Sequence, residues 1–143
     1  DKTLAALGIN SKSSNSNSGN TSGSSVNNSD LYLLSKLIYA EARGESYRGK
    51  VAVAATVLNR VASSSFPNTI AGVIYQKGAY TCVDDGQINL EPNQTAYNAA
   101  RDALNGWDPT YGSLYYYNPA TATSKWIFSR QKVVTIGKHV FAL

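Results

Sequence analysis

A single cysteine and a single histidine close off much chemistry before any pattern is read. Cys82 has no second thiol to pair with, so an internal disulfide is excluded and the redox compartment stays open. His139 is the one imidazole. Zinc sites in hydrolases draw on several His, Cys and carboxylate ligands, so one His argues against a metal centre. A Ser-His-Asp triad would have to use His139, and no G-x-S-x-G elbow supplies its nucleophile. A Cys82–His139 thiol peptidase stays formally open. Charge is scarce too: charged residues are 15% of the chain and the net charge is +4. The basic residues are scattered, which argues against nucleic acid as a partner but suits a negatively charged wall or membrane surface. No apolar run approaches the ~18 residues that a transmembrane helix needs. No signal peptide is visible, and because the chain opens at Asp1 it reads as a fragment whose targeting segment lies upstream.

What is present suits one ordinary domain and a tail. Residues 11–29 are almost entirely Ser, Asn, Gly and Thr. Such a stretch buries too little apolar surface to offset its chain entropy, so 10–29 reads as a flexible linker. DKTLAALGI, residues 1–9, reads as the end of an upstream module. The working domain is then 30–143.

Within it, DLYLLSKLIYAEARGE places Leu31, Leu34, Leu37, Ile38 and Ala42 on one helical face, with Asp30 as N-cap and Gly44 as the stop. A second helix is expected over Ser46–Ser64, ended by Phe66-Pro67. A short third one is capped by Thr69 and stopped by Gly78. Ala79 to Leu90 alternates around Asp85-Gly86 and predicts a hairpin. Another helix runs from Pro92 or Asn93 to Gly106, with Tyr97, Ala100, Ala103 and Leu104 inward. LYYYNP, KWIFS and KVVTIGKHVFAL are aromatic and β-branched and predict short strands or extended loops. The class is α+β: several helices, then a small antiparallel part.

Glu41 is the candidate for chemistry. It stands seven residues after Leu34 and three after Ile38, inside the apolar stripe. Desolvation disfavours a charged carboxylate and favours a carboxyl that keeps its proton, as a general acid requires. The bland alternative is a Glu that reaches solvent or pairs with an Arg. None of the other eight acids stands out by environment. Glu45 lies four residues on but past the expected helix stop, and Asp84 and Asp85 fit a turn. A second carboxylate for a glycosidase pair is therefore not evident. Gln87, Asn118 and Tyr116 are polar groups in apolar or aromatic text, and Tyr80 and Trp126 are possible sugar platforms. For each of these five, a structural hydrogen bond or core packing is the alternative.

YAEARGE at 39–45, GKVAVAATVLNRV at 49–61, FPNTIAGVIYQ at 66–76 and DDGQI at 84–88 form one ordered series. AARDALNGWDP at 99–109, YYYNPATATSKWI at 115–127 and IGKHVF at 136–141 continue it. Together they resemble the catalytic domain of the spore cortex-lytic enzymes, the SleB-type cell-wall hydrolases. Residues 1–9 are similar to the end of the peptidoglycan-binding repeat that precedes that domain. The resemblance implies a mainly helical, lysozyme-like (lytic-transglycosylase-type) fold with a single essential glutamate, the first of AEARGE, Glu41. It implies a lytic transglycosylase cutting cortex peptidoglycan between N-acetylmuramic acid and N-acetylglucosamine, with muramic δ-lactam as the cortex-specific feature. Tyr80, Asp85, Gln87 and Tyr116 are carried over as cleft residues. An exported monomer at the cortex or inner spore membrane surface is expected, without cofactor, with a regulatory protein partner in the spore. A hydrolytic muramidase or glucosaminidase, a wall amidase, and a non-catalytic wall-binding module remain as alternatives.

Overall fold

The computed structural model describes residues 21–143, with side chains described from 28 onward; the upstream-module reading of 1–9 lies outside the described residues, as does the linker reading up to residue 20. The elements run α1 (Thr21–Glu41), α2 (Tyr47–Ala62), α3 (Ile70–Ile74), α4 (Thr81–Asp84), a 3-10 turn (Gln87–Asn89) and α5 (Gln94–Leu104). They continue with β1 (Tyr115–Tyr117), α6 (Lys125–Phe128), β2 (Lys132–Ile136) and β3 (His139–Ala142). This is the expected α+β arrangement, with a three-stranded antiparallel sheet in the order β1-β3-β2.

Helix α2 is the centre. Every residue from Val51 to Leu58 is buried, so the middle two turns of this helix have no solvent face. A helix that is apolar all round must be surrounded. α1 covers it with Leu34, Leu37, Ile38 and Ala42, and α5 with Ala96, Ala99, Ala100 and Ala103. The alanines on α2 and α5 let the axes approach closely. Ala52 faces the sheet, where it meets Ile136 and Phe141. Caps match the sequence signals. Ser46, Thr69 and Asn93 accept from the amides of Gly49, Gly72 and Ala96 at 3.1, 2.9 and 2.9 Å.

Three expectations are corrected. Helix α1 begins at Thr21, so Asp30 lies in its interior and is not an N-cap; burial raises its carboxyl pKa. Extending a helix that is already anchored by packing is far easier than starting one, which lets α1 run back into polar sequence. Ala79–Leu90 is not a hairpin. Gly86, at φ +84°, joins α4 to the 3-10 turn, and Cys82 and Ile88 both enter the core. Spacing by six residues, which looked like strand alternation, instead serves two helical turns. KWIFS is not a strand: Ser124 accepts from the Ile127 amide at 3.2 Å and caps α6.

The β2–β3 turn passes tightly over α1's exit. Gly137 sits at φ +58°, and a Cβ there would run into Glu45 Oε1. Gly137→Ala is expected to destabilise by more than the ~1–2 kcal/mol of left-handed strain alone. Urea denaturation should show that excess shrink when Glu45→Ala is added.

Candidate active site

Glu41 is the last residue of α1 and is half-buried. Its Oε1 accepts a 2.6 Å hydrogen bond from the hydroxyl of Tyr116, 75 residues away on β1. The two line a cavity of about 180 Å³ together with Arg60, Ala79, Tyr80 and Thr81. Glu41 is thus at the junction of the helical layer and the sheet.

The end of α2 builds the other wall. Arg60 Nε donates to the Leu114 carbonyl at 2.7 Å. Asn59 Nδ2 donates to Ser113 O and to Asp108 Oδ2, both at 3.0 Å. Asp108 accepts in addition from Thr110 N and Oγ1 at 2.8 and 2.6 Å and from Gly112 N at 2.8 Å. Asp108 is the knot of the loop that delivers β1. That loop sets where Tyr116 meets Glu41.

Electrostatically, Glu41 is surrounded by groups that keep their protons. Burial and then the Glu41 charge push the Tyr116 phenol well above its usual range. Burial drives the Tyr80 phenol up to about 12, with Arg60 pulling it down and Glu41 pushing it further up. The Cys82 thiol is likewise pushed up to about 12, by burial first and Glu41 next. The Tyr80 hydroxyl is buried without a hydrogen-bond partner. Arg60 is the one cation of the pocket, and no carboxylate among the described residues forms an ion pair with it.

Glu45 belongs elsewhere. Its Oε1 accepts from the Lys138 amide at 3.4 Å and lies 3.9 Å from His139 Nδ1. The His139 ring packs edge-on to Tyr116, 4.9 Å between centroids, and Phe141 flanks the same phenol at 5.7 Å. Glu45 and His139 therefore hold the hairpin and the Tyr116 ring.

The pattern of the family described as Cell Wall Hydrolase matches residues 44–142. The chain belongs to that family. The spore cortex-lytic enzyme of Bacillus cereus is 54% identical over 87% of this chain and 48% of the relative. That of Bacillus subtilis is 55% identical over 80% of this chain and 37% of the relative. The chain thus spans half or less of these two curated relatives. Among solved structures, the catalytic domain of the Bacillus cereus SleB protein shares 58% identity at a TM-score of 0.76, covering 80% of this chain and 89% of that one. The catalytic domain of the germination-specific lytic transglycosylase SleB from Bacillus anthracis shares 56% at 0.78, covering 81% and 95%. In sequence and fold the chain matches SleB-type catalytic domains.

Of the residues singled out from sequence, the fold gathers Glu41, Tyr80 and Tyr116 in one pocket. Asp85, Gln87, Asn118 and Trp126 are not in its lining. Asp85 accepts from the Gln87 amide at 3.0 Å and closes a turn, with Gln87 exposed beside it. Asn118 Oδ1 accepts from the Ala120 amide at 2.9 Å, also a turn. Trp126 is 53% exposed on α6. Sequence reasoning missed Arg60. The signal was available: it is a charge set in an apolar helix, between Leu58 and Val61, as Glu41 is.

Cys82 is buried and outside the pocket lining, and burial holds its thiol protonated, which argues against a thiol peptidase. The folded protein should resist iodoacetamide at pH 8 and be alkylated only on unfolding. The folded state keeps the Cys82 proton up to about 12, while an unperturbed thiol releases it at 9.0. Its stabilising contribution is therefore complete below pH ~9 and is lost as pH rises toward ~12. Urea midpoints should fall across that window, less steeply in Cys82→Ala.

Proposed function

We propose that this domain is a peptidoglycan lytic transglycosylase. It cuts spore cortex glycan between N-acetylmuramic acid and N-acetylglucosamine during germination and leaves 1,6-anhydromuramic ends. One observation carries the reading. Among the described residues lining the pocket, Glu41 is the only carboxylate, and it is held by a neutral donor, Tyr116. The names of similar proteins, cortex-lytic enzyme and lytic transglycosylase, point the same way.

In this mechanism Tyr116 occupies Glu41 Oε1, which leaves Oε2 to carry the deliverable proton. That proton passes to the glycosidic oxygen as oxocarbenium character develops at the muramic anomeric carbon. The 2-acetamido carbonyl stabilises that centre in place of a second carboxylate. As Glu41 becomes charged, its bond from Tyr116 becomes charge-assisted and strengthens. The Glu41 carboxylate then takes the proton of the muramic 6-hydroxyl, and that oxygen closes the anhydro ring. Asp85, Gln87, Asn118 and Trp126 contact the strand outside the pocket. The protein acts as an exported monomer at the cortex or inner spore membrane surface. Residues 1–9 close an upstream peptidoglycan-binding module, 10–29 link it to the catalytic domain, and a regulatory protein restrains it in the dormant spore.

Glu41→Gln should fold normally, by thermal melt, and release no soluble glycan from purified cortex. Tyr116→Phe should lower kcat roughly 10–100-fold, the scale of one hydrogen bond to a charged group. Mass spectrometry of wild-type products should find anhydromuramic ends. Reducing ends would instead establish hydrolysis.

A further inference from the structure

The Glu41 pocket is small for its task. At about 180 Å³ it lies below the ~300–1,000 Å³ of sites that enclose a ligand, so a polymer inserts one group and lies along the surface outside. A built surface leads away from it. Arg60 lines the pocket, and its guanidinium carbon lies 4.8 Å from the Phe66 ring centre and 5.3 Å from that of Tyr115. Tyr115 meets Trp126 edge to face at 5.1 Å. Arg130 closes the series, 4.9 Å from the Trp126 ring and 5.8 Å from Tyr115. Two touching rings thus lie between two guanidiniums from the pocket wall to the outer edge of α6.

Core packing does not account for the outer half. Trp126 is 53% exposed even with Tyr115 and Arg130 against it, and α6 contributes no buried residue. Arg130 is tied down by its Nε, which donates to the Leu143 carbonyl at 2.9 Å. Neither Arg60 nor Arg130 has an Asp or Glu partner among the described residues. Two oriented guanidiniums that flank a pair of aromatic rings and lack an Asp or Glu partner among the described residues are suited to a ligand that offers sugar faces together with carbonyl or carboxylate oxygens.

We propose that the Arg60–Tyr115–Trp126–Arg130 ladder is an extended subsite for the glycan strand beyond the cut, taking sugar faces on Tyr115 and Trp126 and acyl oxygens of muramoyl units on the arginines. This rests on the glycan reading of the Glu41 pocket and adds a preference for long strands. The acyl oxygen has two sources, a free stem carboxylate or a lactam or amide carbonyl.

The test compares kcat/KM on long soluble cortex strands with that on fragments too short to reach α6. In Trp126→Ala the long-to-short ratio should fall about tenfold, the scale of one lost aromatic contact, through KM on long strands with kcat retained. Arg130→Gln should lower the same ratio, and Arg130→Lys should recover part of it. If stem carboxylates are the target, amidating them should erase the Arg130→Gln effect; a persisting effect assigns the carbonyl. Trp126→Phe serves if the alanine variant does not melt cooperatively. Ratios within twofold of wild type, or equal losses on long and short substrates, would overturn the ladder. Failure of the parent reading is separate: the unmodified domain would then cleave no glycan of any length.

Discussion

The middle two turns of helix α2 have no free side, and that constraint organises the molecule. With Val51 through Leu58 all out of solvent, α1, α3, α5 and the sheet must each cover part of it. Apolar burial of this kind is roughly proportional to area and indifferent to direction. Direction comes from the polar residues allowed only where the burial ends. Asn59 and Arg60, at the last turn, tie down the loop from Asp108 to Leu114 and so aim β1. Tyr116 reaches Glu41 because of that aim.

The site uses little charge. One carboxyl, one guanidinium and two phenols that stay protonated line the cavity, and the protonated Cys82 thiol lies outside its lining near Glu41. In the proposed mechanism, a single acid that later serves as base needs neighbours that do not compete for its proton. Tyr116 and Cys82 meet that need through burial. The unpartnered Tyr80 hydroxyl is a cost the fold carries next to the proposed catalytic acid, and unsatisfied groups tend to collect at functional sites.

Much of the helical layer was legible because its signals are local. Caps at Ser46, Thr69 and Asn93 and the apolar spacing of α1, α2 and α5 are written within a few residues of one another. The misreadings fall where a short apolar run fits two periods. Residues 79–90 carry Cys82 and Ile88 inward as helical turns, while their alternation resembled a strand. KWIFS has strand-like composition, yet its neighbours in space are the side chains of Tyr115, Tyr117 and Arg130, without a strand edge to pair with. The resemblance to SleB-type domains singled out the same glutamate as the helical wheel. It did not distinguish pocket from periphery among Tyr80, Asp85, Gln87 and Tyr116.

By itself, then, the amino-acid order determined which side of α1 is apolar and that Glu41 stands in it, since a helix of fixed pitch turns spacing directly into facing. Tertiary structure alone decided that Tyr116 donates to Glu41, that Glu45 serves the hairpin, and that Arg60 completes the pocket. Those pairings close loops of tens of residues, and loop closure is governed by how whole layers pack. No local period encodes them.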